Sequence, residues 1–350
     1  MNNSQILFFG GCVAVIFATT AGCKKGSEDT TGMAKLEEAF TEVQQITTIK
    51  SLVVYKNDTL VREAYFGSGG AGVVHDVRSV TKSITALLVG IAIDKGFIQS
   101  AEQKIGDFLR PVVDTITPEK ANIKIRDLLT MSSGFEWDEL TSVSGYNLWA
   151  GSANQVRFVL DKPLIAQPGE RFAYNSGAFH LLSVIISRAT GKTTLEFARQ
   201  YLFEPLGINY GAWETDNQGY HNGSAGLEMT PYDMVKIGQL ILNHGEFQGK
   251  PVVSSTFIDQ LASFKITTNT AVSYGTGYGY GWWNGQSGPA NYVFAMGWGG
   301  QFIITVPSLK LVVVATNTWS GVPSAEANEH WYRTIDLIMT GILPAFSGAS

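Results

Sequence analysis

The chain of 350 residues contains only two cysteines, Cys12 and Cys23, and both precede residue 24. Everything after them lacks a thiol. That excludes a disulfide scaffold, a cysteine nucleophile and any zinc or iron–sulfur centre that needs cysteine. Basic runs are also missing: 25 Lys+Arg stand against 30 Asp+Glu, for a net charge of −5. This argues against a nucleic-acid partner. Internal repeats and low-complexity tracts are absent from the body. The five histidines, His75, His180, His221, His244 and His330, show no H-E-x-x-H or H-x-H spacing, so no metal site is expected. Gly191-Lys192-Thr193 lacks the first glycine of a phosphate loop, because position 186 is Ile. No serine sits in a G-x-S-x-G elbow; Gly223 to Gly226 comes close, but Asn222 precedes it. A Ser-His-Asp triad stays open, without local support.

What is present is a globular composition, 45% apolar and 16% charged, long enough for one large domain or two intimate ones. Residues 6–22 are an almost unbroken apolar or small-residue run, at the short limit for a membrane span. It stops at Thr20-Ala21-Gly22-Cys23, which resembles the lipobox of bacterial lipoproteins. That resemblance implies a leader over residues 1–22, a lipid on Cys23, and a periplasmic or cell-surface protein anchored to a bacterial membrane. Thr20 stands where Leu is usual, and no Lys or Arg precedes the run. An ordinary secretory leader or an uncleaved anchor stays open. Residues 23–33 read as a polar tether.

The body, 34–346, reads as one domain. Ala34 to Ile46 has helical spacing. Ser51 to Tyr55 and Leu60 to Phe66 read as a hairpin around Asn57-Asp58. Ser79 to Lys95 is a helix stopped by Gly96. Residues 99–269 alternate helical runs with Pro/Gly loops; Leu181 to Arg188 and Met234 to Asn243 are the best helices. Phe302 to Val306 and Leu311 to Thr316 form a second hairpin, and Glu326 to Leu343 a closing helix. Strands at both ends and helices between them predict an α+β fold, its sheet built from both termini.

One local pattern carries chemistry. Ser79-Val80-Thr81-Lys82 puts a hydroxyl and an amine three residues apart on one face of a helix start. The residues that follow are apolar on nearly all sides, so the helix is expected to be buried. A lysine at the head of such a helix needs a reason. Desolvation lowers its pKa, which lets it take the serine proton. Small residues at Ser83, Ala86 and Gly90 invite close approach by another element. This is the only S-x-x-K in the chain, yet one such match is expected by chance, and a lysine snorkelling from a helix end is the plain alternative.

The surroundings are more specific. Arg78-Ser-Val-Thr-Lys-Ser, Ile125-Arg-Asp-Leu-Leu-Thr-Met-Ser-Ser-Gly134, Pro168-Gly-Glu-Arg-Phe-Ala-Tyr174-Asn175-Ser176-Gly177, Gly226 to Thr230, Tyr278 to Trp283 and Gly297-Trp298-Gly299-Gly300-Gln301 follow in order. Together, over roughly residues 45–340, they resemble the serine β-lactamase and penicillin-binding-protein superfamily. The nearest pattern is the class C-like branch with family VIII esterases and 6-aminohexanoate-dimer hydrolases. The resemblance implies a β-lactamase/transpeptidase-like fold, with Ser79 as nucleophile, Lys82 as its base and Tyr174 as proton shuttle. It implies an oxyanion hole from the N–H groups of Ser79 and Gln301, and substrate contacts from Asn175, Trp298, Gly299 and Gly300. As shuttle, Tyr174 would act as phenolate or phenol; a phenolate requires a cationic neighbour, which Lys82 could be, since tyrosine ionises near pH 10. Read alone, Tyr174 is a core tyrosine and Trp298 a packing residue.

Two departures bear on substrate. The tyrosine motif usually reads Tyr-x-Asn, and here Ser176 is third. The third motif usually opens with Lys or His, and here opens with Trp298, which cannot pair with a carboxylate. A neutral ester or amide is therefore expected over a penicillin or a peptidoglycan terminus, unless an Arg or Lys from elsewhere compensates. A β-lactamase or D-alanyl-D-alanine carboxypeptidase, and a non-catalytic ligand-binding sensor, are the competing readings. Tyr146, Trp149, Trp213, Tyr278, Trp282 and Trp283 are aromatic candidates for the cleft, with core packing equally open for each. No cofactor is implied, and a monomer is expected.

Overall fold

The structure is a computed structural model that describes residues 27–113, 116–139, 144–268, 274–288 and 290–347. The apolar leader, Cys12 and Cys23 lie outside the described residues.

The first helix, α1 (Ser27–Glu42), starts seven residues before Ala34. Residues 27–33, expected as the end of a polar tether, are helical instead. Their polar side chains hide this start, because apolar periodicity begins only at Leu36. Leu36, Phe40 and Val43 are buried as the spacing requires.

β1 (Ile49–Lys56) and β2 (Thr59–Tyr65) form the predicted hairpin. Asn57 and Asp58 turn it with φ of 51° and 57°. Both central residues of a type I′ turn need positive φ, which Asn and Asp tolerate best. The remaining strands come from the far end of the chain: β3 (Ile266–Thr267), β4 (Gly277–Tyr278), β5 (Trp283–Ser287), β6 (Ala290–Gly297), β7 (Gln301–Val306) and β8 (Leu311–Asn317). They assemble in the order β2-β1-β8-β7-β6-β5-β4-β3, with every neighbouring pair antiparallel. The first and last strands thus pair directly, one strand in from the β2 edge, Ile49 opposite Asn317 and Lys56 opposite Leu311. The α+β arrangement follows the expectation, but β5 and β6 were not anticipated. β6 is buried on both faces over most of its length, so the period-two alternation that marks a strand is missing.

Both faces of the sheet are covered. Successive strand residues point to opposite sides. Phe302 packs its ring 5.8 Å from Trp331 of α6 (Ser324–Leu337). A Cβ on Gly238 of α4 (Pro231–Leu242) would lie 3.3 Å from the next residue's side chain, Ile303, and 2.5 Å from Val312. α4 therefore closes one face and α6 the other.

α2 (Val80–Asp94) is buried from Val80 through Ala92. Each large apolar side chain so placed contributes about 1.5–3 kcal/mol. The small residues do what their size allows. Ser83 donates to the Gly281 carbonyl at 2.7 Å. Gly90 lies against the Phe257 ring of α5 (Ser255–Ala262), where a Cβ would come within 2.3 Å. α3 (Ser176–Thr190) packs beside α2 and ends on Gly191 at φ +68°. Among the described residues no helix is long and apolar enough to cross a membrane.

Candidate active site

The head of α2 is delivered by a tight turn. Arg78 adopts φ +49°, unusual for a side chain of its size, and its N–H is held by the Asp76 carboxylate at 2.8 Å. His75 and Asp76 pair with Glu228 and Met229, and Val77 N–H donates to the Leu227 carbonyl at 2.9 Å. These bonds seat the loop 221–227 against the strand that leads into Ser79.

Ser79 occupies the position preceding α2, and Lys82 follows one turn later. Lys82 Nζ donates to Ser79 Oγ at 2.8 Å and to the Ser224 carbonyl at 3.0 Å. The lysine is 1% exposed and has no carboxylate in contact. Burial lowers its pKa from 10.5 to about 7; the Arg78 charge pushes the same way, and Glu139 opposes both. Lys82 is thus not a snorkelling surface residue, and a buried lysine poised near neutrality beside a serine hydroxyl can serve as a base.

Ser224 is itself pinned. Its N–H and Oγ donate to Asn222 Oδ1 at 2.9 and 2.8 Å, while Trp213 Nε1 donates to the Asn222 carbonyl. Thr85 Oγ1, from α2, donates to the Gly223 carbonyl at 2.9 Å. Gly223 N–H donates to His180 Nδ1 at 3.3 Å, leaving His180 Nε2 to face Asp216 Oδ2 at 3.0 Å. His180 and Asp216 are thus bonded to each other and to the loop, not to Ser79. Among the described residues His180 and Asp216 form no triad with Ser79, whose hydroxyl is met by Lys82 and by Tyr174.

Tyr174 sits just before α3, its ring centroid 4.9 Å from Lys82 Nζ and stacked against Trp283 at 5.9 Å. Desolvation pushes its hydroxyl well above the ordinary tyrosine range, Glu139 adds to the rise, and a hydrogen bond with Ser79 pulls partly back. Of the two expected forms, burial favours the phenol over the phenolate.

The turn between β6 and β7 carries the third motif. Gly299 and Gly300 have φ of +79° and +99°. A Cβ on Gly299 would lie 2.6 Å from Trp319, and one on Gly300 2.6 Å from Asn317 Nδ2. The Gln301 side chain and the Asn317 backbone exchange two hydrogen bonds, at 2.8 and 3.1 Å. This fixes the turn. Gly297 lies against Val77 and Arg78, where its Cβ would come within 2.3 Å of the Val77 carbonyl. The turn therefore runs alongside the segment that ends in Ser79, bringing the backbones of Ser79 and Gln301 into one region.

Two of the expected substrate-contact residues also make contacts within the protein. Asn175 caps α3: its Oδ1 accepts the Ala178 N–H at 2.7 Å, and only its buried Nδ2 lacks a partner among the described residues. Trp298 points its Nε1 at Asn328 and packs edge-on to Trp319. Of the six aromatic candidates, Trp149, Trp213, Tyr278 and Trp282 are core residues. Trp283 is buried too but backs Tyr174, and Tyr146 lies 5.9 Å from the Arg78 guanidinium.

A cleft of about 240 Å³ opens beside Tyr174, lined by Phe135, Trp137, Glu139, Ile165 and Phe172 among others. A wider groove of about 920 Å³ along Glu119, Lys124, Arg126 and Gln167 shares Ile165 with this cleft and is lined by none of Ser79, Lys82 and Tyr174. Among the described residues no cluster of three or more His, Cys, Asp or Glu is placed to hold a metal. Sequence reasoning missed the Ser224 carbonyl, Glu139 and the His180–Asp216 pair. None belongs to a motif, and each is joined to the site by tertiary contacts alone.

The family model for Beta-lactamase matches residues 33–336. A curated 6-aminohexanoate-dimer hydrolase of Paenarthrobacter ureafaciens is 23% identical over 89% of this chain and 80% of its own. A solved putative 6-aminohexanoate-dimer hydrolase from Bacillus anthracis superposes with a TM-score of 0.71 at 22% identity, covering 87% of this chain and 82% of that one. An octameric penicillin-binding protein homologue from Pyrococcus abyssi gives a TM-score of 0.70 at 22% identity, over 88% and 77% of the two chains. The chain belongs to the Beta-lactamase family and is a hydrolase of the serine β-lactamase-like superfamily.

Proposed function

We propose that this protein hydrolyses a small ester or amide without a required carboxylate, through an acyl-enzyme on Ser79. The observation that carries the reading is the 2.8 Å hydrogen bond between Ser79 Oγ and a fully buried Lys82. In the proposed sequence, Ser79 Oγ attacks the carbonyl carbon and its proton passes to Lys82 Nζ. The oxyanion lies between the N–H groups of Ser79 and Gln301. As the bond to the leaving group breaks, Tyr174 gives that group its proton and recovers one from Lys82. Water then attacks the acyl-enzyme; its proton goes to Lys82, and Ser79 Oγ takes it back as the acid leaves.

Substrate preference follows from charge. Trp298 supplies no cation, and its indole is engaged with Asn328 and Trp319. The name of the Paenarthrobacter relative also points to an amide. A β-lactamase or carboxypeptidase reading has one observation in its favour: the Arg78 guanidinium lies 4.4 Å over the Trp319 ring, next to the third motif. Arg78 is already engaged with Asp76, which weakens it as a carboxylate receptor.

The test is intact mass of residues 24–350 after incubation with a fluorophosphonate, with Ser79→Ala in parallel. One adduct on the wild type alone supports the reading and leads to a screen of neutral esters, amides and β-lactams. Absence of the adduct on folded protein overturns it in favour of a ligand-binding module. We also propose export, lipidation at Cys23 and a monomeric body. Release of Cys23→Ala from membranes, and the mass of the soluble body in solution, test these in turn.

A further inference from the structure

The family's tyrosine motif ends in Asn, and here Ser176 takes that place. Ser176 does not face Lys82. Its Oγ donates to Glu139 Oε1 at 2.5 Å and its N–H to Glu139 Oε2 at 2.9 Å. Trp137 Nε1 donates to the same Oε2 at 2.9 Å. Three donors thus grip one carboxylate. None of the ion pairs among the described residues involves Glu139, so no cation compensates it by contact.

The seat favours an anion. Ser176 opens the first turn of α3, a helix of 15 residues whose N-terminal end attracts negative charge. Glu139 also lines the cleft with Tyr174. Its charge is the first-ranked electrostatic influence on both Lys82 and Tyr174. A half-buried carboxylate without a counter-cation is unfavourable unless its neighbours gain from it. The neighbours that gain are a lysine and a tyrosine that exchange a proton.

We propose that Glu139, seated on Ser176 and Trp137, is a positioning residue that sets the charge balance of the Lys82–Tyr174 pair and, as the polar partner of that pair, replaces the asparagine missing from the third position of the Tyr-x-Asn motif. The groups that face Lys82 are Ser79 and Arg78 from its own end of α2, Tyr174 from the entrance to α3, the Ser224 carbonyl from the loop 221–227, and Glu139. Glu139 is the anion of this set. It holds Lys82 more basic than burial alone would leave it, and it adds to the effect of burial in favouring the Tyr174 phenol. This inference rests on the proposed acylation of Ser79.

The rate of fluorophosphonate labelling as a function of pH tests it without a known substrate. In the wild type the rate rises as Lys82 loses its proton. Glu139→Gln keeps the size and one acceptor but removes the charge. Loss of a charge that favours the lysine cation lowers the lysine pKa, so the rising limb moves to lower pH by half a unit or more. Ser176→Ala loosens the carboxylate and moves the limb in the same direction by less. Glu139→Asp, which keeps the charge, leaves the limb nearer the wild type. A limb unmoved in Glu139→Gln and Ser176→Ala, with melting temperatures unchanged, overturns the proposal and leaves Glu139 as a support for the start of α3. If Glu139→Gln does not fold, Ser176→Ala alone decides. A wild type that takes no label contradicts the acylation reading instead, and the two failures are distinct.

Discussion

The Nζ of Lys82, almost wholly out of solvent, donates to the Oγ of Ser79 at 2.8 Å. The folded state lowers the Lys82 pKa from 10.5 to about 7. The unfolded chain therefore binds more protons between those values, and stability rises with pH across that window. Below pH 7 the lysine is charged in both states and the burial cost is undiminished. Lys82→Met removes this cost. The variant is expected to melt above the wild type at pH 6–7, with the advantage shrinking toward pH 10, while acylation of Ser79 falls by about a thousandfold or more. Calorimetry across pH, together with labelling rates, checks both halves. A Met variant less stable than the wild type at pH 6 would contradict the burial argument.

His180 and Asp216 are both buried and bonded at 3.0 Å. His180→Ala leaves a carboxylate buried without its partner and frees the Gly223 N–H. The expected loss is about 3–5 kcal/mol in denaturant unfolding. Because Ser224 follows Gly223, labelling of Ser79 should slow as well. A loss below about 1 kcal/mol would mean that water replaces the imidazole without strain.

Gly300 adopts φ +99°, and a Cβ there would meet Asn317 Nδ2 at 2.6 Å. Gly300→Ala is expected to tilt the third-motif turn and move the Gln301 N–H. Loss of one oxyanion donor costs about a hundredfold or more in turnover. Hydrolysis of any ester found by screening, followed beside the melting temperature, separates this from general unfolding. Turnover within a few-fold of the wild type would remove Gln301 from the proposed oxyanion hole.

Trp298 opens the motif that, in the superfamily pattern this chain resembles, usually opens with Lys or His. Trp298→Lys should raise the rate for a carboxylate-bearing ester relative to its neutral analogue by about tenfold, the scale of one charge-assisted hydrogen bond. An unchanged ratio would show that this position does not face the substrate.

Gly90 meets Phe257 with no room for a methyl group. Gly90→Ala gains about 1 kcal/mol of helix propensity and loses about 1–3 kcal/mol to overpacking. Net destabilisation by chemical unfolding is expected, and a stabilised variant would show that α5 can yield.

What the sequence determined by itself was whatever is set by neighbours along the chain. Asn57-Asp58 specifies a two-residue turn through positive φ. The apolar run after Val80 specifies a buried helix, and the i, i+3 spacing of Ser79 and Lys82 puts hydroxyl and amine on one face. The ordered motifs place Tyr174 and the Gly297–Gln301 turn in the same family pattern, and the structure brings both beside α2. The hairpin β5–β6 escaped because burial on both faces erases alternation, and the start of α1 because its first turns are polar. Only the tertiary structure decided the rest. That Ser176 holds Glu139, that Ser224 offers its carbonyl to Lys82, and that His180 faces Asp216 are contacts across 36 to 142 positions. The protonation states follow the same division. Lys82 and Tyr174 are ordinary residues in the sequence; burial lowers the pKa of one and raises that of the other, because a low-dielectric interior disfavours whichever form carries charge.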